Sequence, residues 1–127
     1  MGTGRIRSLL GGIARERGFH NENRVLRALR ASEDFAPPDW FIQAVKAKKE
    51  QDAKGVDVII ETKDAGKIFL QIKSSRAGMR NFLEKHAGKM IGVVVVGMHD
   101  SDTDIRRKVF SEVNRLRIEI FEKRNNT

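Results

Sequence analysis

Val56-Asp57-Val58-Ile59-Ile60-Glu61-Thr62, followed by Asp64-Ala65-Gly66 and then Lys67-Ile68-Phe69-Leu70-Gln71-Ile72-Lys73, is the stretch that decides the fold. The first run is rich in β-branched residues, which fit a pleated, half-buried surface. The last run alternates apolar and polar residues, the mark of a strand with one face covered. Between them a glycine stands where a short hairpin loop needs a left-handed residue. The stretch therefore predicts a β-hairpin with a three-residue loop at Asp64–Gly66. In that register Asp57 faces Lys73 directly, with Cβ atoms about 5 Å apart. Gln71 precedes Lys73 by two residues and projects from the same sheet face.

Outward from the hairpin, the chain alternates helices and strands. A helix is expected from about Ile13 to Ala31, with Val25, Leu26 and Leu29 at helical spacing. Pro37-Pro38 closes it. Trp40 to Lys48 reads as a strand with Trp40, Ile42 and Ala44 on one face, or alternatively as a short helix. Gly78 to His86 predicts a short helix, and Ile91 to Gly97 a strand buried on both faces. Asp102 or Thr103 caps a final helix running to about Phe121, with Ile105, Val109, Val113 and Leu116 inward. The fold class is α/β: helix, three strands, helix, strand, helix around a mixed sheet.

At 127 residues the chain suits one domain, read as an arm over 1–12, a core over 13–97 and a C-terminal helix over 102–122. It has no cysteine, which excludes disulfides and thiolate metal sites and fits a cytoplasmic protein. No apolar run is long enough to span a membrane. Net charge is +8, distributed unevenly. Residues 1–31 hold seven arginines against two glutamates, and residues 105–127 hold seven lysines or arginines against three glutamates. Basic ends over a balanced centre suit a polyanion such as nucleic acid; a solvated surface accounts for the same charge.

One carboxylate stands out beyond the hairpin. Glu22 lies in line with Val25, Leu26 and Leu29, on the side of its helix that turns from water. A carboxylate there is costly unless paired or bound to a cation. Phosphodiester hydrolysis needs oxygen ligands for Mg²⁺ or Mn²⁺, a polarised phosphate and a positive group near the attacking water. Glu22 and Asp57 can supply carboxylate oxygens, Gln71 an amide oxygen, Ile72 its carbonyl, and Lys73 the positive charge. The plainer alternative is a cross-strand ion pair on a solvated face.

Gly55-Val56-Asp57-Val58, followed by Phe69-Leu70-Gln71-Ile72-Lys73-Ser74-Ser75 and preceded by Glu22 in Glu-Asn-Arg-Val-Leu-Arg-Ala-Leu, resembles the core of the PD-(D/E)XK nuclease superfamily. The pattern is similar to Holliday-junction resolvases and, in its Gln-x-Lys form, to Mrr-type restriction endonucleases. The resemblance covers about residues 13–97. It implies a restriction-endonuclease-like αβββαβ core with an extra C-terminal helix, and a metal-dependent endonuclease acting on DNA. Glu22, Asp57, Gln71 and Lys73 are then the catalytic residues, with Glu22, Asp57, Gln71 and Ile72 on the metal. Likeness to resolvases implies a homodimer. The third acidic position is Gln71, which brings no negative charge, so a catalytically inactive nucleic-acid-binding module of the same fold is the alternative. A subunit of a larger restriction or repair assembly is a third reading.

Ser74, Ser75, Arg76, Arg80 and Arg24 are candidate nucleic-acid contacts, with helix capping open to Ser74 and Ser75 and a solvated helix face to Arg76 and Arg80. Glu16 rivals Glu22 for the helix acid. His20, His86 and His99 are scattered without ligand spacing, and His20-Asn21 lacks the second histidine of an HNH nuclease. Gly88-Lys89 lacks the rest of a phosphate-binding loop.

Overall fold

The computed structural model describes residues 21–30, 32, 34–52 and 55–126. The expected arm over 1–12, the first part of the opening helix, Glu16 and His20 lie outside the described residues.

The hairpin forms from the expected residues in a different register. Strand β2 is Val58–Thr62 and β3 is Gly66–Lys73, paired antiparallel with Thr62 opposite Gly66 and Val58 opposite Leu70. The turn is Lys63-Asp64-Ala65, and Gly66, at φ +74°, opens β3. The expected facing of Asp57 and Lys73 is thus corrected by two residues: continuing the pairing puts Asp57 opposite Gln71. Two contacts set this turn. The Thr62 hydroxyl accepts from Ala65 N (3.0 Å) and donates to the Gly66 carbonyl (2.7 Å). Asp64, at the tip, pairs with Arg117 of the last helix, whose guanidinium also sits 4.4 Å over the Trp40 ring.

Helix α1 (21–28) precedes β1 (Phe41–Lys46), the short helix α2 (Lys49–Asp52), and then β2 and β3. Helix α3 (Arg76–Lys85), β4 (Ile91–Val95) and α4 (Asp102–Asn125) follow. The sheet order is β1-β2-β3-β4, antiparallel for the first two pairs and parallel for β3 with β4. The parallel pair requires a crossover, which α3 supplies.

Several element boundaries move. Serines with extended backbones cap both later helices: Ser75 accepts from Gly78 N, and Ser101 forms a reciprocal capping box with Asp104. Helix α4 therefore starts behind Ser101 and, meeting no proline or glycine, runs on to Asn125. In β1 a register shift between Phe41 and Gln43 leaves Ile42 exposed, so the expected Trp40–Ile42–Ala44 face does not hold. Helix α2, which carries no apolar stripe, was not expected.

The main core lies between one sheet face and helices α1 and α4. Val25, Ala28 and Leu29 of α1 meet Val58, Ile60, Ile68, Leu70 and Ile72 of the sheet, and Ile105, Val109, Val113 and Leu116 of α4 complete it. Each of the large side chains buried there contributes roughly 1.5–3 kcal/mol. A smaller cluster on the opposite face holds Ala47, Val56 and Ile59 against Phe69 and Ile91. The apolar run expected to be buried on both faces is the end strand β4. Its outer side is covered by α4: Glu112 accepts from Val93 N (2.9 Å) and Lys108 donates to the Val95 carbonyl (3.0 Å).

Candidate active site

Asp57 stands where the ladder between β2 and β3 ends. Its N–H donates to the Leu70 carbonyl (2.9 Å), its carbonyl accepts from Ala47 N (3.0 Å), and its Oδ2 accepts from Ile72 N (2.8 Å). A side-chain carboxylate has thus taken the place of a backbone acceptor. The residue is only 6% exposed, so the carboxylate relies on fixed donors rather than on bulk water. Ile72 turns its N–H toward β2, and in a strand the carbonyl of the same residue points the same way.

The chain reaches Asp57 through Gly55, at φ +91°. A Cβ there would come within 2.9 Å of Phe82 Cε2. Only glycine lets the backbone pass so close beneath α3 in that conformation.

Asp57, Gln71 and Lys73 form the sheet wall of a recess of about 460 Å³, and α3 forms the other wall. Gly78, Asn81, Phe82 and Lys85 present the helix face, at the i, i+3, i+4, i+7 spacing that shares one side. His86, the C-cap, stacks on Phe82 with centroids 4.3 Å apart and also lines the recess. The Lys73 ammonium lies 5.5 Å from the Phe82 centroid. Gln71 Oε1 and His86 Nδ1 are buried and have no hydrogen-bond partner among the described residues. Such groups are exceptional in native proteins and mark places where a ligand, ion or water completes the arrangement.

Glu22 lies in the first described turn of α1, half-buried, and is not among the residues lining the recess. Its helix is held at the same end of the sheet. Arg24 donates to the carbonyls of Gly97 (2.9 Å) and Asp100 (2.7 Å), just past β4, while Val96 N donates to the Lys73 carbonyl (2.8 Å). Arg24, a candidate nucleic-acid contact, is buried at 9% exposure, and its guanidinium is engaged by the Gly97 and Asp100 carbonyls and by Asn21 Oδ1 (3.2 Å). Of the other candidate contacts, Ser75 spends its hydroxyl on capping α3, and Ser74, Arg76 and Arg80 are exposed.

Among the described residues no three His, Cys, Asp or Glu side chains form a metal-holding group. Side-chain oxygen donors at the recess are the Asp57 carboxylate and the Gln71 and Asn81 amides, a set of the hard kind that Mg²⁺ accepts together with waters and substrate oxygens. The buried, unpartnered Gln71 oxygen fits such a role.

The chain matches no family model, no curated protein and no solved structure.

Asn81, Phe82 and Lys85 escaped the sequence reading, and His86 was set aside there as a histidine without ligand spacing. Their helical spacing was visible, but nothing in it said which face of α3 turns toward Gln71.

Proposed function

We propose that this protein is a metal-dependent endonuclease that hydrolyses DNA phosphodiester bonds in the recess between β3 and α3. One observation carries the reading: a buried carboxylate, an unpartnered buried amide oxygen and an ammonium, from Asp57, Gln71 and Lys73, line a single recess. The order of strands and helices agrees with a restriction-endonuclease-like core, and the basic composition suits a polyanionic substrate.

Asp57 and Gln71 would hold Mg²⁺ or Mn²⁺, with the Ile72 carbonyl beside them. When bound, the metal supplies Lewis-acid polarisation of the phosphate. Lys73 orients the attacking water and offsets charge developing on the phosphate oxygens. Phe82, beneath the ammonium, limits where that charge can sit. Asn81 and Lys85 on the facing helix contact the phosphate flanks. A resting site with a single carboxylate in its lining binds metal weakly, and the substrate phosphate adds the missing oxygens.

Purified protein is expected to nick supercoiled plasmid with Mg²⁺ or Mn²⁺ and not with chelator. Lys73→Ala should lower the rate at least a hundredfold with an unchanged thermal melt. Undiminished nicking in that variant would overturn the assignment.

The single acid in the recess lining favours the binding-module alternative as a second reading. Calorimetric titration with Mn²⁺ separates the two. Binding abolished by Asp57→Asn supports the enzyme; no Mn²⁺ binding alongside salt-sensitive DNA binding supports the module. Glu22→Gln joins the same titration. A loss as large as that from Asp57→Asn would give Glu22 a ligand's part, and a smaller loss, the expected result, a peripheral one.

A further inference from the structure

The recess does not end at α3. Phe82 and His86 line it, and the same stacked pair lines a second recess of about 290 Å³. This second hollow lies where the turn after α3 enters β4, against the later half of α4. From Gly78 to His86 the wall along the first recess measures roughly 12 Å at the helical rise.

The two hollows differ in chemistry. The second has a mixed lining, whose apolar part comes from Leu83, Met90, Ile91 and Leu116, and Leu83 is 47% exposed. Its rim carries Lys89 and Lys123, both exposed, and neither takes part in an ion pair among the described residues. The acid in its lining, Glu119, is bound by Arg115 (2.9 Å), which also holds Glu112 (2.6 Å). One guanidinium shared by two carboxylates leaves one negative charge, so with the two ammonium groups the hollow and its immediate surroundings are net positive by one.

Exposed apolar side chains beside two exposed cations match a nucleotide with its base against the former and its phosphate at the lysines. A duplex does not offer that shape, because its base faces are stacked inside and only edges reach the grooves. We propose that the second recess is a binding subsite for single-stranded DNA. It takes a nucleotide adjacent to the one in the first recess, with the strand crossing the Phe82–His86 step. The base lies against Leu83 and Met90, and its phosphate lies between Lys89 and Lys123. This deepens the nuclease reading and rests on it for the identity of the strand, but its test does not need cleavage.

Fluorescence anisotropy with a labelled oligothymidylate, in chelator and over a range of salt, tests the subsite. Lys89→Ala/Lys123→Ala is compared with a control of equal charge loss, Arg30→Ala/Arg107→Ala, at exposed positions just past α1 and on α4. The subsite pair should flatten the dependence of log affinity on log salt by about 0.7, the value per phosphate of a single strand. The control pair should flatten it by less than half as much, and duplex binding should not distinguish the two. Equal effects of both pairs on the single strand would overturn the proposal. If the wild type also nicks plasmid, equal effects remove the subsite and leave hydrolysis standing. Strand binding that depends on Lys89 and Lys123, without cleavage under any metal, removes hydrolysis and leaves the subsite.

Discussion

Asp57 has two separable tasks, since its carboxylate both accepts the Ile72 N–H and faces the recess. Asp57→Ala removes the acceptor and strands a buried N–H, which costs about 1–3 kcal/mol. Asp57→Asn keeps an acceptor oxygen and loses only the charge. Urea unfolding is expected to show a lower midpoint for alanine and a near wild-type midpoint for asparagine, with nicking absent in both. Equal midpoints would mean that the carboxylate does not secure β3. The pairing of Asp57 with Lys73 was read two residues out of register, yet Asp57, Gln71 and Lys73 still lie in one recess. Side chains alternate with a period of two, so a slip of two residues changes the partner and keeps the face. His86 had no such protection. A histidine at a helix end belongs to no pattern, and only the fold places its ring on Phe82.

Among the elements, α4 was the most legible. Its stripe of Ile105, Val109, Val113 and Leu116 is buried as read, because a helix packed along one side must repeat its apolar residues. Only its ends were misjudged: Ser101 supplies the cap with a reciprocal bond from Asp104, and nothing in the sequence stops the helix at Phe121. The hairpin register was not legible, because the Thr62 hydroxyl, bonded to Ala65 N and the Gly66 carbonyl, sets a turn one residue earlier than the glycine suggests. Nor was the place of β4 at the end of the sheet, since an all-apolar run looks alike in the middle and at a covered edge. That cover gives a prediction. Glu112→Leu together with Lys108→Met uncovers the Val93 N–H and the Val95 carbonyl, and an uncovered edge recruits other chains. Light scattering during refolding should rise against wild type, and an unchanged trace would mean that apolar contacts alone close the edge.

For the whole molecule, two ties to α4 are carboxylates whose strength depends on pH. Asp100 is held below its ordinary pKa of 3.8, first by its hydrogen bond from Lys108 and further by the Gly97 N–H. Asp64 is held below the same value, first by its hydrogen bond from Arg117. Depressed values mean that this stability is complete above the unfolded pKa and disappears as pH falls through the folded one. From neutrality down to about pH 4 these ties should contribute a constant amount, and below it the melting temperature should drop. Asp100→Asn should make that acid drop shallower, and a profile of unchanged steepness would assign acid sensitivity elsewhere. The net charge of +8 and the basic ends were open to inspection from composition, but charge alone did not say that Arg24 is buried as a clamp while Lys89 and Lys123 stand at a rim.

Among the described residues, the covering of β4 by α4 also makes the sheet a one-ended object. Addition of a strand from another copy is confined to the β1 side, and two copies joined there leave no vacant end between them. Growth by that route stops at a pair rather than running on into a fibre.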